Sequence, residues 1–329
     1  MEKINAALTE MLGIKYPIIV APMFLVSNSA MVIAAIQAGA TAAIPALNYR
    51  NDDDFRRALD EIRNATSGPI GINLIVNKSN VRLNEQLRTC VEYEVDYIIT
   101  SLGSPQIVIE ACKNIKTKVF CDVTEESYAK KVELLGADAL IAVNSEAGGH
   151  AGKLKSNDLI PLLKSTCNIP VISAGGVGTG TGLKEKLDLG ACGISIGSPF
   201  IASKEARVSQ EYKQAIVDYG AKDIVMTDKL SGTPCTVINT PYVKKIGTKQ
   251  NWLESLLNKN RTLKKYVKML TFYKGMKKLE NAAFSATYKT LWCAGPSIEH
   301  VHSIRSVGAI INTLIKEYDV VVSEEEITS

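Results

Sequence analysis

A chain of 329 residues, 46% hydrophobic and 22% charged, is too long for one minimal domain and apolar enough to bury a real core, which suits a large α/β unit with an appendage. Its net charge of +4 is too small to argue for nucleic acid, and no window approaches 18 uncharged apolar residues, so neither nucleic acid nor a membrane is an expected partner. Seven cysteines with no CxxC pair and no Cys/His ligand spacing speak against a zinc site or a disulfide framework, and with no signal-peptide pattern in MEKINAALTEMLG they point to the reducing cytoplasm.

Along the chain, short apolar runs rich in β-branched residues recur every 21–31 residues: PIIVAPM (17–23), TAAIPAL (41–47), PIGINLIV (69–76), YIITSL (97–102), KVFCDV (118–123), ALIAVN (139–144), PVISAG (170–175) and GISIGSPF (193–200). Near-continuous hydrophobicity over so few residues is the pattern of parallel strands covered on both faces. Helical stretches separate them, among them SAMVIAAIQAG (29–39), DDFRRALDEIRN (53–64), ESYAKKVELLG (126–136) and NDLIPLLKST (157–166), several opening on Ser, Asp or Asn and closing on Gly. Eight strands alternating with helices form either a closed barrel or a doubly wound sheet. The count of eight favours a (β/α)8 TIM barrel, as does the clustering of unusual residues after strand C-termini. The first strand leads into APMFLVSNS, without the GxGxxG of a dinucleotide-binding sheet.

The alternation stops near Gly220. The stretch TDKLSGTPCTVINTPYVKKIG reads as turn-rich and polar, and NWLESLLNKNRTLKKYVKMLTFYKGMKKLENAAFSATYKTLW as helical, so a smaller, mostly helical domain is expected over 223–295. The barrel then spans 1–222, and 296–329 holds a helix near 298–318 returning to the barrel and a frayed acidic tail, VVVSEEEITS. Eight Lys/Arg crowd 259–278, but Leu263, Tyr266, Val267 and Leu270 recur there at helical spacing, so the charges read as the solvated face of an amphipathic helix.

The candidate site residues lie at the ends of these strands. AGGVGTG (174–180) and GSPF (197–200) follow the seventh and eighth, where barrels hold phosphate groups on backbone N–H groups and a helix N-terminus. Gly175, Gly176 and Val177 would form one side of that cradle, and Gly197 and Ser198 the other; two tight turns are the bland alternative. After the sixth strand, Ala147, Gly148 and Gly149 lead into His150, one of only three histidines, placed where an imidazole acts as a base or hydrogen-bonds a substrate. Ala21, Pro22 and Met23 end the first strand. Asn73 is a polar residue within an apolar strand and must find a partner, either a ligand or neighbouring backbone. Ser101 and Asp122 also sit at strand ends, where Asp122 either orients the site or caps its loop. His300 and His302, two residues apart, do not share a helical face and read as surface or packing residues, so no metal is expected.

APM, GINL, AGGH, AGGV and GSPF, in this order, resemble the nitronate monooxygenase (2-nitropropane dioxygenase) family and the flavin-dependent enoyl-acyl-carrier-protein reductases that share its fold. The resemblance covers about 15–220 and a later segment, WCAGPS (292–297). It implies noncovalent FMN, with phosphate contacts at Gly175, Gly176, Gly197 and Ser198, ring contacts at Ala21, Pro22, Met23 and Asn73, and a catalytic histidine at His150. Pro199, Pro296 and the ALNYRNDDD sequence after the second strand depart from the family pattern on the substrate side. The expected partner is a small molecule: an alkyl nitronate with O2, or, in the alternative, NAD(P)H with an enoyl-acyl-carrier-protein or quinone. A homodimer is compatible with both. A non-catalytic flavin-binding protein is the alternative from another class. An inosine-monophosphate-dehydrogenase-like barrel is disfavoured because no cysteine lies between Cys121 and Cys167 to act as its nucleophile.

Overall fold

The computed structural model describes residues 2–228, 234–249 and 291–328. All eight apolar runs are strands: β1 (Ile18–Val20), β2 (Thr41–Pro45), β3 (Ile70–Ile75), β4 (Tyr97–Ser101), β5 (Lys118–Val123), β6 (Ala139–Val143), then, after a two-residue strand β7 (Gly149–His150) that lies outside the barrel, β8 (Val171–Ala174) and β9 (Gly193–Ile196). Each pairs in parallel with its neighbour, and β1 pairs with β9 through Ile18↔Ile194, Ile19↔Ser195 and Val20↔Ile196, which closes the barrel.

The apolar character of both strand faces has a direct cause. Ile19, Ala43, Ile99, Phe120, Ile141 and Ile172 point inward and pack on one another, while Ile18, Val20, Ala42, Ile44, Ile70 and Ile72 face the surrounding helices. Helix α1 (Ala7–Leu12) plugs the N-terminal end with Leu8, Met11 and Leu12. Inside, the Tyr97 ring stacks on Phe120 with centroids 5.2 Å apart. It fits because Gly71 has no side chain: a Cβ there would lie 2.2 Å from the Tyr97 ring.

The helices that cover the barrel are α2 (Ser29–Gln37), α3 (Asp52–Ala65), α4 (Leu83–Glu92), α5 (Gln106–Cys112), α6 (Glu126–Leu135), α7 (Ser156–Thr166) and α8 (Gly180–Asp188). Side-chain caps start several: Asn28 accepts from Met31 N, Asn51 from Asp54 N and Thr179 from Gly182 N. On α3, Phe55, Leu59 and Ile62 recur at helical spacing and are all buried, each contributing roughly 1.5–3 kcal/mol. Short α9 (Ser198–Ile201) and α10 (Gln210–Asp218) follow β9.

Two expectations change beyond residue 220. Within 223–295, the described residues build β10 (Ile224–Thr227) and β11 (Cys235–Ile238), which pair antiparallel, with β11 pairing in turn to β7. A small three-stranded sheet therefore stands where the sequence read as turns, because two four-residue strands give too little pattern to stand out from polar flanks. Helix α11 (Pro241–Ile246) follows; the helical reading from residue 250 to 290 and the basic segment 259–278 lie outside the described residues. At the C-terminus, residues 296–300 are a 3-10 turn and α12 spans Val307–Thr328, so the acidic tail is helical rather than frayed. It is fastened to α8: Gly180 N donates to Glu317 Oε2 at 2.7 Å, and Lys184 pairs with Glu325 at 2.8 Å. Tertiary contact thus holds a helix that its run of valines would not sustain alone. Among the described residues no helix is long and apolar enough to cross a membrane.

Candidate active site

The C-terminal ends of the strands open into a cavity of about 590 Å3, and all fifteen sequence-predicted site residues line it. That volume suits a small-molecule ligand of cofactor size. Its walls differ in kind.

One wall is built from side chains on three adjacent strands. Asn73 on β3 donates through Nδ2 to the Ile99 carbonyl (3.1 Å) and to Ser101 Oγ (2.8 Å). A carbonyl only accepts, so the amide is oriented with its nitrogen toward β4 and its oxygen free to accept from another group. Ser101 Oγ–H donates in turn to Asp122 Oδ2 on β5. The neighbouring-backbone and ligand readings of Asn73 are therefore compatible, because its nitrogen serves the first and its oxygen is left for the second. Burial pushes the Asp122 carboxyl up to about 6, with the Ser101 hydroxyl holding it down in part.

At the first strand, Ala21, Pro22 and Met23 run along the cavity, but their backbone donors are already engaged. Ala21 N donates to the Ile196 carbonyl (2.8 Å) and Met23 N to Ser27 Oγ (2.8 Å), while Ser27 Oγ–H donates to the Ala21 carbonyl (3.1 Å). Any ligand contact here uses side chains and carbonyls. The ALNYRNDDD departure has a local role: Asn48 accepts from Leu25 N (2.8 Å) and donates to the Ser27 carbonyl (2.8 Å), which holds Leu25 at a φ of 60°.

The opposite wall is backbone. Gly176, Val177, Gly197 and Ser198 all face the cavity, and their N–H groups find no acceptor among the described residues. Four unpaired backbone donors at the ends of β8 and β9 have the chemistry to hold an anion. The glycines serve this wall differently from the sequence expectation. A Cβ on Gly175 would lie 2.4 Å from Asn144 Oδ1 and 2.5 Å from Ala147 N, and one on Gly176 would lie 2.5 Å from Glu146 Oε2. Their bareness lets the loop after β6 dock on the loop after β8, and both have positive φ, 113° and 82°. Asn144, fully buried, ties the two loops by accepting from Glu146 N (2.8 Å) and donating to the Gly175 carbonyl (3.1 Å). Gly148 is bare for a similar reason: Ser198 Oγ, 2.6 Å from where its Cβ would be, accepts from Gly295 N at 2.8 Å. The two prolines that depart from the family pattern open turns here, Pro199 in α9 and Pro296 in the 3-10 turn.

Between the walls stands His150. It is not the lightly covered loop residue the flanking glycines suggested, because β7 is a strand: His150 lies opposite Cys235 and Gly149 opposite Thr236. Thr236 Oγ1 also donates to the Ala147 carbonyl (2.5 Å). Burial lowers the imidazole below its ordinary value, so it is neutral at pH 7 and able to take a proton.

Several lining residues carry chemistry that sequence reading passed over. Glu146 sits within the NSEAGGH loop, where a charge among glycines was itself a signal. Tyr128 faces the cavity from α6 and donates to the Gly103 carbonyl. Cys235, Leu291 and Cys293 reach it from beyond residue 230, and no local pattern announces them. His300 packs against Gly178, away from the cavity lining. No group of three or more potential metal ligands occurs among the described residues.

The sequence profile of nitronate monooxygenase matches residues 5–317. The chain belongs to the nitronate monooxygenase family. It is an oxidoreductase, and small molecules are its substrates. Among curated relatives, a probable nitronate monooxygenase of Staphylococcus haemolyticus is 28% identical, over 73% of this chain and 80% of that protein. A (3aS,4S,5R,7aS)-5-hydroxy-7a-methyl-1-oxo-octahydro-1H-indene-4-carboxyl-CoA dehydrogenase of Rhodococcus jostii is 27% identical, over 75% of this chain and 69% of that one. Among solved structures, FabK from Thermotoga maritima superposes with a TM-score of 0.86 at 28% identity, covering 99% of this chain and all of the other.

Proposed function

We propose that this family member is an FMN-dependent nitronate monooxygenase that converts alkyl nitronates to carbonyl compounds and nitrite with O2. The observation that carries the proposal is one of placement: unpaired backbone donors and a half-buried, neutral imidazole face the same cavity. The four N–H groups of Gly176, Val177, Gly197 and Ser198 would hold the phosphate, with the turn through Gly175 shaping that side. Asn73 Oδ1 would accept from the ring edge, Ala21, Pro22 and Met23 would pack against the ring, and Ala147, Gly148 and Gly149 would line its other side. When bound, FMN supplies the electron transfer between the substrate and O2.

The remaining work belongs to the chain. His150 accepts or shares the α-proton of a nitroalkane, or donates a hydrogen bond to the nitro group of a nitronate, and a neutral imidazole does either near pH 7. Asp122 holds its wall through Ser101 and Asn73 and carries its own proton below about pH 6. Of the covering domain expected over 223–295, the described residues Pro234, Cys235, Leu291 and Cys293 supply part of the cavity lining, and α12 packs on α8 of the barrel.

A second reading, an NAD(P)H-dependent enoyl-acyl-carrier-protein or quinone reductase on the same scaffold, draws support from the Rhodococcus relative, a dehydrogenase whose named substrate is a carboxyl-CoA. The test is the purified protein itself. It should be yellow, release FMN on denaturation, and consume O2 with an alkyl nitronate while forming nitrite. Rapid anaerobic bleaching by NAD(P)H with no nitrite formation selects the reductase. A colourless protein that takes up no flavin removes both readings.

A further inference from the structure

One pair of side chains on the cavity wall has no part in the chemistry above. Cys235 and Cys293 both line the cavity, both are free thiols, and their sulfurs stand 3.8 Å apart in an S–H···S contact. The backbone explains the approach. Residue 293 forms an antiparallel bridge with Val237, two residues from Cys235 on the same strand, so the two cysteines project from one face as diagonal neighbours. Neither is loosely held. Tyr212 OH donates to the Cys293 carbonyl (2.6 Å), and the Tyr212 ring stacks on Trp292 at 5.7 Å. Cys235 is anchored in β11 as the cross-strand partner of His150.

We propose that Cys235 and Cys293 are a modification site: a dithiol that closes to a reversible disulfide in the cavity wall. The co-reactant is a hydroperoxide. One thiol attacks the peroxide to give a sulfenic acid and release water, or an alcohol from an organic peroxide. The second sulfur then displaces the sulfenic hydroxyl, which leaves as water with the second thiol's proton, so two S–H bonds and one O–O bond are exchanged for one S–S bond and two O–H bonds. The sulfurs must close from 3.8 Å to about 2.05 Å, a movement that side-chain rotation and a slight strand shift supply. The hydrogen bond with the Cys293 sulfur and burial keep Cys235 protonated, so the reaction is a slow locking event. The bond would tie β11 to residue 293, the two points where the chain leaves and rejoins this wall, directly across the sheet from His150.

The proposal stands apart from the flavin reading, because its primary readout is a covalent bond. The purified full chain is exposed to hydrogen peroxide, alkylated under denaturing conditions and mapped by non-reducing peptide mass spectrometry. The expected result is the loss of two of the seven alkylatable thiols, a linked peptide pair carrying Cys235 and Cys293 that is lighter by two hydrogens, and recovery of both thiols with a phosphine reductant. Cys235→Ser and Cys293→Ser each leave the other thiol unlinked after the same treatment. A cross-link between other cysteines, sulfinic acid at either position without a link, or seven thiols still alkylatable after treatment overturns it. The wild-type map needs no variant to fold, so it decides the matter alone.

Discussion

The two walls of the cavity solve the same problem with different materials. Across β3, β4 and β5, polar side chains are spent on one another, Asn73 to Ser101 to Asp122, leaving an oriented amide oxygen and a carboxyl that takes up its proton near pH 6. Across the loops after β6, β8 and β9, bare glycines let loop dock on loop and unpaired backbone donors face the cavity. The first wall is sensitive to charge and tolerant of shape. The second is sensitive to a single methyl group, and the two meet at the imidazole of His150. Substitutions on each side should therefore fail in different ways.

The largest effect belongs to His150. His150→Gln should retain the fold and cofactor content and lose about 10²–10⁴-fold in turnover, the usual worth of a positioned acid–base group. Steady-state rates beside flavin content check this, and a variant with wild-type turnover would show that the chemistry lies elsewhere. In the wild type, turnover should fall as pH drops through the lowered imidazole value, where the base becomes protonated.

Next comes the backbone wall. Gly175→Ala places a methyl group 2.4 Å from Asn144 Oδ1 at a φ of 113°, and strain with overpacking should cost roughly 2–5 kcal/mol. Gly149→Ala is the matched control: its φ is 78° but nothing lies within 4 Å, so only about 1 kcal/mol is expected. Urea denaturation of the pair separates them; equal costs would mean that the loop docking adds nothing.

Charge governs the other wall. The Asp122 carboxyl sits at about 6 in the folded chain against an ordinary 3.8, so the protonated form supports the fold below pH 4 and that support is lost as pH rises through 6. The loss amounts to no more than about 3 kcal/mol. Asp122→Asn, which still accepts from Ser101, should be more stable than wild type at pH 8 and indistinguishable at pH 4. A gain of equal size at both would assign the effect to packing. The smallest change is Ser27→Ala, which frees Met23 N and the Ala21 carbonyl; it should cost about 1 kcal/mol in thermal unfolding and leave turnover close to wild type.

The same contrast explains what could be read from sequence. The barrel was legible because its strands are buried on both faces, so each run stands out without any knowledge of its partners. The cavity residues were legible because strand ends and glycine clusters are local signals, and all of those named do face one space. Strands β10 and β11 were not, since Ile224–Thr227 and Cys235–Ile238 are strands only because they pair with each other and with Gly149–His150. The helical tail was missed for the same reason: Glu317 and Glu325 reach α8 from more than a hundred residues away. The reasons Gly175 and Gly176 are bare also belong to tertiary structure, because the atoms that exclude a Cβ come from Asn144, Glu146 and Ala147.

Equilibrium titration of flavin-free protein with FMN and with riboflavin, followed by flavin fluorescence, isolates the backbone cradle that anchors the whole arrangement. The two ligands share a ring and differ in the phosphate, and each charge-assisted hydrogen bond is worth about 1.5–3 kcal/mol, so FMN should bind at least about tenfold more tightly. Equal affinities, or no binding of either, would contradict the account.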